Sequence, residues 1–233
     1  MLSGMTFSGW PIEAVEFYEG LQADNTRAYW QDHKPVFDAS VHAPMAALLN
    51  ELAGEFGPGR IARPYRDMRF RADKSPYKTE IYAILETGGY INFSAKGLTA
   101  GMGYYQMAPD QLDRYRRAVA DDASGPELLS VLGQLTAKRI QVSGSSSLKR
   151  APKGYPPDHP RVDLLRHKGL IAWRHWPVAA WLHTGGAKRR VVEFLRASAP
   201  LQHWLDDHVG PSTAPPAPRQ PAAAHATPAS QRS

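Results

Sequence analysis

The sequence contains no cysteine among its 233 residues. Disulfide bonds, thiolate metal sites and a cysteine nucleophile are therefore excluded, and this composition fits a reducing compartment. The chain also lacks the run of about 18 apolar residues that a membrane-spanning helix requires. Residues 1–10 show no basic stretch followed by an apolar one, as a signal peptide would. These absences predict a cytoplasmic protein that has no contact with a membrane.

The sequence motifs of several large enzyme classes are also missing. There is no phosphate loop and no His-Glu-x-x-His zinc motif, and Gly101 and Gly103 do not open a helix as a dinucleotide fingerprint would. No Gly-x-Ser-x-Gly nucleophile elbow occurs. The nine histidines are scattered, and only His159 and His167 lie close together in polar company. We therefore predict neither a metal nor a cofactor, and the motifs leave open whether the chain is an enzyme.

Hydrophobic residues make up 42% of the chain. Their spacing predicts an α+β fold. Strands are expected over residues 81–87, 90–94 and 98–107, separated by Gly88-Gly89 and Lys96-Gly97, which are turn signals of an antiparallel β meander. Further strands are expected over residues 138–143 and 170–176. Helices are expected over residues 11–21, from about 25, and over 41–56, 109–122, 124–135, 160–168, 178–183 and 187–195, with a last turn near Trp204. The predicted architecture is an antiparallel β meander packed with helices.

The composition changes sharply near residue 210. From Pro211 onward the chain consists mostly of Pro, Ala, Ser, Thr and Gln, with almost no large apolar residue. Such a segment cannot bury enough surface to order itself. We therefore predict a single domain over residues 1–210 and a disordered tail over residues 211–233.

The positive charge is concentrated in two blocks of the chain. The formal net charge is +6, but residues 60–78 carry seven Lys and Arg against two Asp, and residues 138–168 carry eight against two. Charge gathered in this way attracts anions locally. An anionic small molecule or a nucleic acid is therefore the expected partner.

The first basic segment spans Arg66 to Thr79. In Met68-Arg69-Phe70-Arg71 apolar and basic residues alternate, as on a strand with one polar face, and a turn from Asp73 to Pro76 follows. Guanidinium groups placed side by side bind carboxylate or phosphate in a bidentate manner. We predict that Asp73 transfers protons if the chain is an enzyme, and that the ligand is bound by Arg66, Arg69, Lys74, Tyr77 and Lys78. The alternative is an Arg–Asp network that attaches the strand to the acidic helices.

The second basic segment, residues 148–160, is a long loop stiffened by proline and followed by Arg166 and Lys168. Long loops in compact domains are often functional. We predict that His159 is a second candidate for proton transfer, and that the ligand is bound by Lys149, Arg150, Tyr155, Arg166 and Lys168. The alternative is a structural loop in which Tyr155 is packed and Asp158 and His159 cap the next helix.

These two segments resemble the paired signatures of a family known as domain of unknown function twenty-four sixty-one (DUF2461). Its members carry an Arg-Asp-x-Arg-Phe…Asp-Lys-x-Pro-Tyr-Lys-Thr run and a later Leu-Lys-Arg-x-Pro-x-Gly-Tyr…His-Pro run, which correspond to residues 66–79 and 148–160 here, with an echo at residues 165–168. Phe7 and the Asn25…Trp30…Lys34 pattern also match, whereas Asp24 and Phe37 depart from it. The family implies no established activity, so the resemblance supports the choice of residues and leaves the function open.

Three functions remain open at this point. The leading hypothesis is one pocket, shared by both segments, for a phosphate ester, a nucleotide, a nucleic-acid backbone or a carboxylate. The second is a non-catalytic nucleic-acid binder, which needs exposed aromatic rings such as Tyr77, Tyr104 and Tyr155 beside the positive charge. The third is an interaction or structural protein in which the same Arg and Lys side chains form internal ion pairs.

Overall fold

The computed structural model describes residues 6–67 and 73–214. Among these residues, six strands form one sheet in the order β1-β2-β3-β4-β6-β5. The strands are β1 Gly59–Ile61, β2 Glu80–Leu85, β3 Gly89–Ser94, β4 Gly97–Tyr104, β5 Gln141–Ser143 and β6 Leu170–Trp176. β2, β3 and β4 pair with antiparallel neighbours, which confirms the predicted meander, and β1, which was not predicted, pairs antiparallel with β2. The helices that accompany this sheet confirm the α+β class.

The helices are α1 Ile12–Ala23, α2 Arg27–Val36, α3 Ala43–Phe56, α4 Pro109–Ala120, α5 Ser124–Ala137, α6 Val162–Arg166 and α7 Gly186–His208. A π-helical stretch, Phe37–His42, joins α2 to α3 without a break. Thr26 is the N-cap of α2, since its hydroxyl accepts a hydrogen bond from the N–H of Tyr29 at 3.2 Å. A 3₁₀ turn, Ala180–His183, precedes α7.

Several predicted boundaries differ from the observed ones. β4 ends at Tyr104 rather than at Met107, and residues 138–140 lie outside β5. α6 covers five residues of the predicted 160–168. α7 is one helix, where a helix over 187–195 and a separate turn near Trp204 were expected, and it contains Pro200. The strand predicted over Met68–Arg71 lies outside the described residues.

The chain divides into two compact units. Unit 1 comprises residues 1–102 and 173–199, and unit 2 comprises residues 103–172 and 200–233, within the described ranges. The first basic segment belongs to unit 1 and the second to unit 2, and each is described within its own unit.

One sheet face of unit 1 is apolar and carries helices. Ile81, Ala83 and Leu85 alternate along β2 as buried residues. On β3, Phe93 stacks on Trp10 with ring centroids 4.8 Å apart and also contacts Tyr18 of α1. The alternation leaves the polar residues of these strands on the opposite face, as a pleated strand dictates.

The glycines of β4 have a structural use on that opposite face. Gly101 pairs with Tyr90 of β3, and a Cβ at Gly101 would lie 2.0 Å from the Tyr90 ring. The ring therefore occupies the space that a side chain would fill, an arrangement in which an aromatic residue covers a strand glycine. Gly103 is different, since a Cβ there would lie 2.4 Å from the backbone carbonyl oxygen of Leu170.

Unit 2 has its own core, built around α4 and α5. Tyr115 of α4 meets Trp204 edge to face with centroids 6.3 Å apart, and its hydroxyl donates to the carbonyl of Leu164 at 3.0 Å. The indole N–H of Trp204 donates to the carbonyl of Ser124 at 3.0 Å. Both large polar aromatics are thus buried with their polar atoms satisfied.

Candidate functional site

In unit 1, Arg66 is attached to the turn that follows it. Its Nη1 lies 2.6 Å from Oδ2 of Asp73. Oδ1 of Asp73 accepts hydrogen bonds from the hydroxyl and the N–H of Ser75 at 2.6 and 2.9 Å. These bonds from Ser75, together with the Arg66 charge, hold the pKa of Asp73 below its ordinary value. Asp73 is therefore a charged anchor of the turn, and its predicted role in proton transfer stays a prediction.

The structure describes only one of two further residues that were predicted to bind the ligand. Arg69 lies outside the described residues, so its role stays a prediction. Lys74 is exposed, directly after Asp73.

Tyr77 is held by Trp30 of α2 and by Asn25, which lies two residues before that helix. Oδ1 of Asn25 accepts from the N–H of Tyr77, and Nδ2 of Asn25 donates to the carbonyl of Tyr77, both at 3.0 Å. The Tyr77 ring stacks on Trp30 with centroids 4.4 Å apart and planes 7° apart. Only 5% of Tyr77 is exposed. The ring therefore packs in the core of unit 1 and fixes the end of the basic segment.

Lys78 lies at the centre of a group of cations. Its Nζ donates to the carbonyl of Arg63 at 2.8 Å and lies 6.0 Å from the Tyr82 ring centroid. Burial is the main cause that lowers the pKa of Lys78, and the charges of Arg63 and Arg66 lower it further, against Glu80. Burial raises the pKa of Tyr82, and the positive charge of Arg60 opposes that rise. We call Arg60, Arg63, Arg66 and Lys78 the cationic cluster.

A row of polar side chains crosses the sheet of unit 1 beside this cluster. Tyr82 pairs with Asn92, and Asn92 pairs with Thr99. Oγ1 of Thr99 lies 3.0 Å from Nδ1 of His175 on β6. Burial is the main cause that lowers the pKa of His175, which favours its neutral form. Tyr82, Asn92, Thr99 and His175 thus form a polar row that begins next to the cationic cluster.

Asn92 and Glu80 form a second polar contact on this face. Nδ2 of Asn92 donates to Oε2 of Glu80 at 2.7 Å. Asn92 is buried, and the hydrogen bond satisfies part of its amide. The carboxylate of Glu80 is therefore engaged by an amide, and it forms no ion pair with the described cations.

In unit 2, the second segment presents positive charge beside α4. Lys149 and Arg150 are exposed and form no ion pair with the described residues. Tyr155 is partly buried, and burial is the main cause that raises the pKa of its phenol, against the positive charges of Arg116 and Arg117. Tyr155 therefore lies in the field of two α4 arginines, as a packed residue at a basic surface.

His159 serves the turn that leads into α6. Its Nδ1 accepts a hydrogen bond from the N–H of Arg161 at 3.0 Å. This contact corresponds to the local capping role that was the structural alternative for this loop. One ring nitrogen is thus engaged by the backbone, and the predicted role of His159 in proton transfer stays a prediction.

Arg161 is the most enclosed cation of the segment, with 8% exposure. Its Nε donates to the carbonyl of Val119 at 2.6 Å, and its Nη2 donates to the carbonyl of Ala120 at 2.8 Å. These are carbonyls of the last turn of α4, which have no partner within the helix. Arg161 therefore caps α4.

Arg166 and Lys168 have different surroundings. Nη1 of Arg166 lies 2.9 Å from Oδ1 of Asp163, and its buried Nε has no hydrogen-bond partner among the described residues. Lys168 is exposed and lines a cleft of about 450 Å³. His167 lies between them in sequence, and its Nδ1 is 3.1 Å from the hydroxyl of Ser147. Burial is the main cause that lowers the pKa of His167.

No group of three or more His, Asp and Glu side chains in residues 6–67 and 73–214 is arranged to hold a metal ion. Among the described helices, none has the length and apolar character that a bilayer crossing needs.

The comparison with protein families identifies the chain. The model of a family described as "Conserved hypothetical protein (DUF2461)" matches residues 13–204. The chain belongs to this family. No curated protein and no solved structure matches it. The resemblance that the two basic segments indicate is therefore confirmed, and it covers both units of this DUF2461 chain.

Sequence reasoning missed several residues of the candidate site in this DUF2461 chain. The cationic cluster includes Arg60 and Arg63, and the polar row was not anticipated. One signal was present, since polar residues alternate with apolar ones at positions 80 and 82 and at positions 90, 92 and 94. Nothing in the sequence distinguished Arg161, a buried cap, from exposed Arg150, because both occur in the same basic block.

Proposed function

We propose that the cationic cluster of unit 1 binds the anionic group of a ligand, a phosphate or a carboxylate. The observation that carries the proposal is Lys78, a half-buried ammonium group whose neighbours Arg63 and Arg66 are also positive. Desolvation and like charge both disfavour such a group in the absence of an anion. A bound anion would relieve both effects.

The charges of the cluster are poorly compensated by the protein itself. Arg66 is paired with Asp73, but Arg63 and Lys78 have no carboxylate partner within 4.0 Å among the described residues. Glu80 is near enough to influence Lys78 and is engaged by Asn92. The cluster therefore keeps an excess of positive charge, which a phosphate or carboxylate would neutralise through charge-assisted hydrogen bonds.

The polar row offers a ligand with an anionic end one neutral contact beside the cluster, the ring of Tyr82. Tyr82 lies between the cluster and the row, with its ring near Lys78 and in the field of Arg60. Hydroxyl, amide and imidazole groups then continue across three strands. We propose that the anionic group binds at the cluster and that the rest of the ligand lies against Tyr82, because Asn92 and Thr99 are buried and already bonded to Glu80 and His175.

The exposed cations of the second segment fit a subsidiary role within unit 2. Lys149 and Arg150 have no ion-pair partner among the described residues, and Tyr155 lies in the field of Arg116 and Arg117. Exposed charge of this kind raises the local concentration of anions without fixing their geometry. We propose that these residues attract the ligand in solution.

A nucleic-acid backbone is the second candidate ligand, because an exposed aromatic ring accompanies the cluster. Tyr65 is 51% exposed, and it is followed directly by Arg66. Stacking on such a ring beside phosphate-binding cations is how single strands are held without sequence preference. Tyr77, which was predicted to serve this purpose, is buried.

Part of the structural alternative also finds support. Arg66, Arg161 and Arg166 are each bonded to groups of their own unit. Lys78, Lys149 and Arg150 are not paired with described carboxylates. The basic segments thus combine cations that hold the fold with cations that are free to bind an anion.

A thermal-shift titration of the purified full chain with inorganic phosphate tests the proposal. A ligand that binds only the folded state at 100 times its Kd stabilises it by about 2.7 kcal/mol, which corresponds to a shift of a few degrees. We expect this shift in the wild type and its loss in the double variant Arg63→Gln, Lys78→Met. The control Lys153→Met removes one exposed charge from unit 2 and should keep the shift.

Two outcomes would contradict the proposal. One is that phosphate, citrate and adenosine monophosphate all leave the melting temperature of the wild type unchanged. The other is an equal shift in the wild type and in the double variant, which would place the anion elsewhere. A single-stranded oligonucleotide that binds more tightly than phosphate, and loses affinity steeply as salt is raised, would favour the nucleic-acid candidate.

A further inference from the structure

Unit 2 contains a cleft that the proposed function does not use. Its volume is about 450 Å³, within the range of about 300–1,000 Å³ that is usual for small-molecule sites. Its walls include Met107, Pro109, Leu112, Ser145, Ser146 and Lys168. It lies between the start of α4, the loop after β5 and the residue pair that precedes β6.

The backbone around this cleft is tied together by hydrogen bonds between three chain segments. The N–H of Lys168 donates to the carbonyl of Ser146 at 2.9 Å, and the carbonyl of Lys168 accepts from the N–H of Met107 at 3.0 Å. Lys168 is thus bonded on both sides, to the loop after β5 and to the loop before α4. Its Cα is held in place, and the cleft is largely preformed.

Close packing beside Lys168 supports the same conclusion. A Cβ at Gly169 would lie 2.0 Å from the carbonyl oxygen of Tyr105, so the two backbone segments touch at this point. A preformed site loses little conformational entropy when a ligand binds. The walls therefore suit a small ligand of defined shape.

The chemistry of the walls is amphipathic. Met107, Pro109 and Leu112 provide apolar surface, and Met107 is buried. Ser145 and Ser146 provide hydroxyl groups, and Lys168 provides an ammonium group that forms no ion pair with the described residues. A single cation among hydroxyls, facing an apolar wall, is complementary to a molecule with one acidic group and a short apolar body.

We propose that this cleft is a second ligand site, which binds a small amphipathic acid with its carboxylate or phosphate on Lys168 and its apolar body against Leu112 and Pro109. Lys168 acts as a point charge with three donors, and the two serine hydroxyls complete the hydrogen bonds of the acid. The site does not depend on the cationic cluster of unit 1, and it binds its ligand whether or not that cluster is occupied.

A ¹H–¹⁵N NMR titration of the full chain with hexanoate tests the site. We expect saturable shifts at the amides of Met107, Leu112, Ser145, Ser146 and Lys168. Hexyl phosphate distinguishes a preference for phosphate from one for carboxylate, and hexanol lacks the charge. We expect hexanol to bind at least about tenfold more weakly than hexanoate, since hydrogen bonds to a charged group are the strong ones.

Variants of Lys168 distinguish the contribution of its charge to binding from a loss of local structure. Lys168→Met should weaken hexanoate binding about tenfold or more, whereas Lys168→Arg should restore most of the affinity because it keeps the charge. Lys153→Met, an exposed lysine outside the cleft, should bind like the wild type. The double variant Arg63→Gln, Lys78→Met should also bind hexanoate normally, so failure of one site is distinguishable from failure of the other.

The proposal is overturned if hexanoate and hexyl phosphate produce no saturable shift at these amides. It is equally overturned if Lys168→Met, folded by its spectrum, binds both acids as tightly as the wild type does.

Discussion

Asn25 shows how one side chain fixes a loop that carries function. Its amide satisfies both backbone groups of Tyr77, and Trp30 covers the ring of the same tyrosine. The next residue is Lys78, whose ammonium group is the centre of the cationic cluster. The staple of Asn25, Trp30 and Tyr77 thus positions the proposed anion site without contacting the anion.

Replacement of Asn25 by alanine removes two hydrogen bonds and leaves the N–H and carbonyl of Tyr77 without these partners. We expect Asn25→Ala to lower the free energy of unfolding by about 1–3 kcal/mol. Urea denaturation measures this change. Asn50→Ala, on the exposed side of α3, is the matched control and should change stability by less than about 0.5 kcal/mol. Equal effects of the two variants would show that the staple contributes nothing specific.

The sequence shows where the two basic segments lie, and it does not reveal the role of each cation within them. Arg66 and Arg161 bind carboxylate and carbonyl groups of their own unit, whereas Arg63 and Lys78 have no carboxylate partner among the described residues. All four lie in basic stretches of the sequence. A cation that caps a helix and a cation that binds a ligand carry the same charge, so the sequence does not tell them apart. Their roles depend on tertiary neighbours such as Val119, which is 42 residues from Arg161.

At the scale of the element, the β meander was easier to predict than the short strand β1 or the exact ends of β4, β5 and α6. The meander follows from alternation and from two glycine-containing turns, and both signals are local. The π-helical stretch Phe37–His42 has no such signal, since one extra residue in a helical turn leaves the composition unchanged. Near the end of β4, Gly103 takes a φ of 128°, a conformation that favours glycine, and the strand ends at the next residue, Tyr104.

α4 depends on a cap from a distant part of its unit. Arg161 reaches the last turn through Nε and Nη2, and its guanidinium is almost fully buried. Arg161→Met should lower the free energy of unfolding by about 2–4 kcal/mol, because two or more buried carbonyls lose their donor. Denaturant titration monitored by helix content tests this.

Two variants sharpen the test of Arg161. Arg150→Met removes an exposed arginine from the same loop and should be close to neutral. Arg161→Lys should be destabilising too, since a lysine cannot donate from two directions to carbonyls that the guanidinium fork reaches. A neutral Arg161→Met would mean that the capping bonds contribute little.

The start of α4 binds the chain that leaves α7. Gln111 donates to the carbonyl of Gly210 at 2.8 Å, and Oδ1 of Asp110 accepts from the hydroxyl of Ser212 at 2.7 Å. Oδ2 of Asp110 accepts from the N–H of Thr213 at 2.9 Å. Arg114 donates to the carbonyl of Pro211 at 2.7 Å. Residues 210–213 are therefore bonded into unit 2, beyond the boundary predicted at residue 210.

A pair of truncations tests this attachment. A chain that ends at Val209 loses the bonds to Asp110 and Gln111, and we expect its free energy of unfolding to fall by about 1–3 kcal/mol. A chain that ends at Ala214 keeps every described bond and should match the full chain. If both truncated chains melt at the temperature of the full chain, the hydrogen bonds between the start of α4 and residues 210–213 add no stability.

At the scale of the whole molecule, the titratable groups with lowered pKa values act in the same direction. Burial lowers the pKa of His167 and His175, and hydrogen bonds lower the pKa of Asp73 and Asp121. For a histidine whose pKa is lower in the folded state than in the unfolded state, the free energy of unfolding is highest above the unfolded pKa of about 6.5. This stability is lost as the pH falls from that value towards the folded pKa. The carboxylates follow the same rule at lower pH, below their unfolded value of about 4.

We therefore expect the free energy of unfolding to fall in two stages on acidification, the first beginning near pH 6.5 and the second near pH 4. Urea denaturation at a series of pH values from about 8 to about 3.5 measures both stages. The double variant His167→Gln, His175→Gln should flatten the first stage and leave the second in place, because the carboxylates are unchanged. His203→Gln replaces an exposed histidine and should keep both stages. A double variant as acid-sensitive as the wild type between about pH 6.5 and pH 5 would show that the lowered pKa values of these two histidines do not govern the first stage.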